Sequence, residues 1–179
     1  MAKSANEQIS LKPQDVLIAL KVAASPGRAF TYAALANELG MSSSQVHAGV
    51  KRAHVARILS ATVDEGISPI RPALQEFVIY GLRYAFPATT GAMTRGIPTA
   101  FAAPPLEALI AQQGQVVPVW PHPKGSVRGY ALFPLYPTIP DACELDQKLY
   151  EIFTLIDALR IGAARERELA IVFLKRYLQ

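Results

Sequence analysis

The stretch TYAALANELGMSSSQVHAGVKRA, Thr31 to Ala53, decides the fold. Thr31 carries the oxygen an N-cap needs, and Leu35, Ala36 and Leu39 share one face of a helix running through Leu39. Gly40 supplies the left-handed residue that ends it. Ser42 opens the next helix, because Ser42-x-x-Gln45 has the reciprocal spacing of a capping box. Val46, Gly49, Val50 and Ala53 form that helix's apolar face, and it extends to about Arg57. Small Ala36 admits a close approach of the two helices, and Val46 and Val50 lock them together. The pair, joined by Gly40-Met41-Ser42, has the spacing of a helix-turn-helix.

Upstream, residues 12–24 read as a helix with Pro13 at its start and Val16, Leu17, Leu20 and Ala24 at helical spacing. Ser25-Pro26-Gly27 stops it, and Arg28-Ala29-Phe30 is a short extended link. Downstream, apolar runs flank Asp64-Glu65-Gly66, a tight hairpin with an acidic tip. Arg71-Pro72 opens a fourth helix, Ala73 to Ala85, that turns Leu74, Phe77, Val78, Gly81 and Leu82 inward. Phe86 to Pro105 reads as a long irregular arm, and Leu106 to Gln112 as a short helix. Val116 to Trp120 and Ser126 to Phe133 are expected to pair as a small β-hairpin. Two last helices, about Glu144 to Arg160 and Ala163 to Leu178, hinge at Gly162.

From residue 12 to residue 71 the chain resembles winged-helix bacterial transcription regulators, broadly of the MarR kind. The resemblance rests on the quoted stretch, the helix and link before it and the candidate wing after it. It implies that the second helix of the motif enters the major groove of double-stranded DNA, from a homodimer that reads a palindrome. With Val46, Val50 and Ala53 setting the core direction, Ser44, Gln45, His47, Ala48, Lys51 and Arg52 face outward. Ser44, Gln45 and Ala48 then suit base contacts, and Lys51 and Arg52 suit phosphate. If Gln45 folds back as a cap partner, it is not available to a base. The start of the Thr31 helix, with Thr31, Tyr32 and Arg28, is a second phosphate site. Ser43 completes the candidate DNA-binding set.

Charge supports the same window. The 179 residues carry a net charge of +4. Residues 28–60 hold Arg28, Lys51, Arg52 and Arg57 against Glu38, a local balance of +3. That is modest for one DNA-binding unit, so a dimer that doubles the phosphate contacts is expected. The acidic hairpin tip departs from the basic wing that the resemblance implies.

Composition bounds the rest. The chain is 51% hydrophobic and 18% charged, with a mean hydropathy of +0.20. It is long enough for a substantial core. No uninterrupted apolar run of about 18 residues suggests a membrane span, and no secretory leader is evident, so a cytoplasmic location is expected. The single cysteine, Cys143, sits beside acidic residues that oppose its ionisation. His47 and His54 lack a third metal ligand, and no nucleophile or paired-carboxylate constellation stands out, so neither a metal, nor a cofactor, nor an enzyme is expected. Thr89, Thr90, Thr94, Arg95 and Thr99, set among glycines, mark a possible effector loop.

The expected architecture is mostly α. A winged helix-turn-helix spans residues 1–71, and residues 72–179 form a helix-rich domain with a small β-hairpin, for dimerisation and sensing. The last helix, apolar around much of its girth from Leu169 to Leu178, is the expected dimer contact. The expected function is sequence-specific transcriptional regulation, as a repressor. The alternative is an antitoxin or operon-partner protein whose second domain binds a cognate protein.

Overall fold

The computed structural model describes residues 9–62, 66–110 and 114–179. Helix α1 (Pro13–Ala24) is its axis, with every residue from Asp15 to Ala24 buried. A helix covered on all sides must have neighbours all round. Here the helices Ser43–Val55 and Gln147–Ile161 and the hairpin strand Gly66–Pro69 supply them.

Helix α2 (Tyr32–Glu38) starts where Thr31 accepts a hydrogen bond from the Ala34 amide, at 3.1 Å. Gly40, at φ +61°, turns the chain, and the Met41 amide closes back on the Ala36 carbonyl at 2.9 Å. Helix α3 (Ser43–Val55) opens on the expected reciprocal cap. The Gln45 amide donates to Ser42 Oγ at 3.2 Å, and the Ser42 amide donates to Gln45 Oε1 at 2.9 Å. Strands β1 (Leu59–Thr62) and β2 (Gly66–Pro69) pair antiparallel from Leu59↔Pro69 to Thr62↔Gly66. The acidic tip, Asp64-Glu65, lies outside the described residues.

Helix α4 (Arg71–Glu76) continues through a π turn, Phe77–Gly81, into α5 (Leu82–Ala85). The next segment corrects the expectation of an irregular arm. Thr90–Pro98 is strand β3, antiparallel to both β4 (Pro118–Pro121) and β5 (Val127–Leu132). Strands β4 and β5 do meet, but in parallel, through Pro118↔Tyr130 and Val119↔Ala131. The expected small hairpin is therefore a closed three-stranded barrel. Three glycines permit so tight a closure. A Cβ on Gly96 would stand 2.1 Å from the Trp120 carbonyl oxygen, one on Gly129 2.1 Å from that of Val117, and one on Gly125 2.2 Å from the Gly96 backbone. The helix expected from Leu106 is also absent over its described part. Leu106–Ile110 form isolated turns, too short a run to offset helix nucleation.

The barrel is anchored on α7 (Gln147–Ile161) through the buried carboxylate of Asp157. This group accepts from Thr99 Oγ1 (2.8 Å), Trp120 Nε1 (2.6 Å) and the Arg160 guanidinium (2.8 Å). Burial nevertheless pushes its carboxyl pKa up, against the pull of Arg160 and the hydrogen bonds. Helix α6 (Ile139–Glu144) leads into α7, whose N-cap Asp146 accepts from the Leu149 amide.

Helix α8 (Ala164–Tyr177) packs on α7. It is more two-sided than its composition suggests: Ala170 and Leu174 are buried, Val172 is 48% exposed, and Lys175 and Arg176 face outward. Buried side chains before and after residue 71 belong to one hydrophobic core. Among the described residues, no helix is long and apolar enough to cross a membrane.

Candidate nucleic-acid interface

Helix α3 sits close to α1 because Gly49 lies between them. A Cβ there would stand 2.5 Å from Ile18 Cδ1 and 3.0 Å from Asp15 Oδ1. Val46, Val50 and Ala53 are buried on the same side. The opposite side carries Ser43, Ser44, Gln45, His47, Lys51 and His54, all exposed, with Ala48 half-buried.

Four of the expected contact residues, Arg52, Gln45, Arg28 and Thr31, are committed elsewhere. Arg52 turns inward: its Nε donates to Asp15 Oδ2 at 2.8 Å and its Nη2 to Asp15 Oδ1 at 2.6 Å. Asp15 is fully buried and also accepts from the Lys12 amide, so it needs a cation, and Arg52 lies one turn beyond Gly49. With 18% of its side chain exposed, Arg52 belongs to the helix packing and not to an outward phosphate grip. The hydrogen bonds to Asp15 push its pKa further up.

Gln45 uses both ends of its amide. Oε1 accepts from Ser42, and Nε2 donates to Tyr136 Oη at 3.4 Å. A bidentate adenine contact needs the same two atoms. Arg28 pairs with Glu38 through both guanidinium nitrogens and stacks over the Phe30 ring at 4.4 Å. This bonding, despite partial burial, holds the Glu38 carboxyl below its ordinary value.

What remains available is a groove of about 370 Å³ lined by Tyr32, His47, Val50, Lys51, His54 and Ala61. The Tyr32 and His47 rings lie 5.3 Å apart, tilted by 50°. Among the described residues, Lys51 has neither a hydrogen bond nor an ion pair, and exposed Arg57, just past α3, has none on its side chain. His54 Nδ1 accepts from the Ala61 amide at 3.3 Å, tying α3 to β1. Thr31 keeps its hydroxyl on the α2 cap.

Arg57 and Tyr136 enter the site without having been singled out as contacts. Arg57 was visible in the basic window, whereas Tyr136 lies 91 residues from Gln45 and left no local signal. Among the described residues, no group of three or more His, Cys, Asp or Glu side chains is placed to hold a metal.

No protein-family model matches this chain, and no curated protein or solved structure matches it.

Proposed function

We propose that the chain is a sequence-specific DNA-binding transcriptional regulator of the winged helix-turn-helix kind, in which α3 enters the major groove and β1–β2 is the wing. The observation that carries this reading is the free outer face of α3. Ser44, His47 and Lys51 are exposed there, Lys51 lines the groove, and exposed Arg57 follows the end of the helix. Ser44 and His47 take the base edges, and Lys51 and Arg57 take phosphate. A homodimer acting as a cytoplasmic repressor on a palindrome is part of the same proposal, because so few free cations give one copy little affinity. Selection of bound duplexes from a random DNA pool at two salt concentrations tests it. An enriched palindrome is expected, and a pool that stays random removes the reading.

Exposed aromatic side chains favour a second reading, a protein that binds a cognate partner. Tyr80 and Tyr84 lie four residues apart on the α4–α5 rod, 60% and 73% exposed. A stable complex with the product of a neighbouring gene, lost in Tyr80→Ala/Tyr84→Ala, is the result this reading expects.

A further inference from the structure

Among the described residues, Lys21, Arg28, Arg52, Lys124 and Arg160 each hold a carboxylate. Arg95 and Arg128 do not. Both are exposed, and neither side chain has a hydrogen bond or an ion pair among the described residues. They stand directly opposite each other in the antiparallel pairing of β3 and β5. Directly opposed residues project from the same face, so two guanidinium groups lie side by side. Gly129 and Ala131 are buried on the other face, which makes this the outer one.

Like charges in that register lower sheet stability, and among the described residues no ion pair offsets them. The positions of their backbones are fixed by the closure of the barrel. Arg95 and Arg128 each adjoin one of the glycines, Gly96 and Gly129, at which the barrel closes backbone against backbone. Two forked donors mounted on a fixed backbone register are an arrangement that takes a tetrahedral anion between them.

We propose that Arg95 and Arg128 form a clamp for a phosphodiester of the DNA backbone, a contact separate from α3. This assignment rests on the DNA-binding reading above and extends its footprint. The adjacent pair on this face is Met93 opposite Tyr130, and no carboxylate flanks the arginines on either strand, so the charge of the pair is complementary to a polyanion. A phosphate polymer is recognised by such charge. Chain geometry permits one duplex to meet both contacts. Arg128 precedes Tyr136, which touches Gln45 at the start of α3, by eight residues. That bounds the distance from Arg128 to Tyr136 at about 29 Å, well inside a duplex of three turns at about 34 Å each.

The test measures affinity of the full-length protein for a labelled duplex about three turns long, over a range of salt, by fluorescence anisotropy. Arg95→Ala/Arg128→Ala is expected to weaken binding about tenfold at low salt and to make the log–log salt slope shallower by about 1–2. Its melting temperature should be unchanged or higher, because the opposed charges are gone. Arg95→Glu, which places a carboxylate across from Arg128, should raise the melting temperature and weaken binding further. An unchanged slope in the double variant, with a shallower one in Lys51→Ala, overturns the clamp and leaves the α3 reading standing. The converse keeps the clamp and removes α3. Duplex binding that ignores salt in the wild type overturns both. A double variant that binds DNA normally but loses an acidic protein partner also overturns the clamp.

Discussion

Arg52 and Lys51 are neighbours in sequence with opposite assignments. Arg52→Ala leaves Asp15 buried without its cation, and is expected to cost about 3 kcal/mol in urea unfolding. Lys51→Ala is expected to leave stability unchanged and to make the salt dependence of DNA binding shallower. A helical wheel drawn from Val46, Val50 and Ala53 places both outward, because it takes no account of a carboxylate 37 residues upstream. Gln45 teaches the reverse lesson. Its cap was legible because both partners lie within four residues of one another. With both amide ends in use, Gln45→Ala should lower stability by about 1 kcal/mol and leave base preference intact, as duplex selection with the variant would report.

At the scale of elements, legibility followed range. Helices α1, α2 and α3 are set by local caps, stops and periodicity, and their limits were readable to within a few residues. The barrel was not. Strand β3 contains Gly91, Gly96 and Pro98 and shows no alternation of apolar and polar residues, since its first half is exposed on both faces. Its glycines look like loop residues until the backbones they admit are known. Two of them should behave differently on substitution. Gly96→Ala drives a methyl group into the Trp120 backbone and should cost about 3 kcal/mol. Gly91→Ala meets side chains of Phe133 and Ala131 at 3.3–3.4 Å and should cost far less. Paired urea midpoints would separate them.

Across the whole molecule, a chain of charges joins the front to the back. Lys21 on α1 lies 2.9 Å from Glu38 at the end of α2 and donates to Asp146, the α7 N-cap, at 2.8 Å. Burial opposes the charge on Lys21 as the largest single effect, but the bonds to Asp146 and Glu38 together outweigh it and push its pKa up. Glu38 is held down, chiefly by Arg28. The folded pKa of Glu38 lies below its unfolded value, so its contribution is complete above the ordinary 4.5 and is lost as the pH falls through the lowered value. That of Lys21 is complete below 10.5 and is lost as the pH rises through its raised value. Glu38→Gln should therefore flatten the acid side of a stability–pH curve, measured as urea midpoints at a series of pH values.

The burial of α1 on every side has a consequence for how such a protein changes over time. A chimaera that borrows only the first 71 residues would strip α7 from a helix with no face suited to water. The front is not a cassette that recombination can move between hosts. If α3 reads DNA as proposed, new targets would have to arise by substitution on its outer rim, with the interior carried along unchanged.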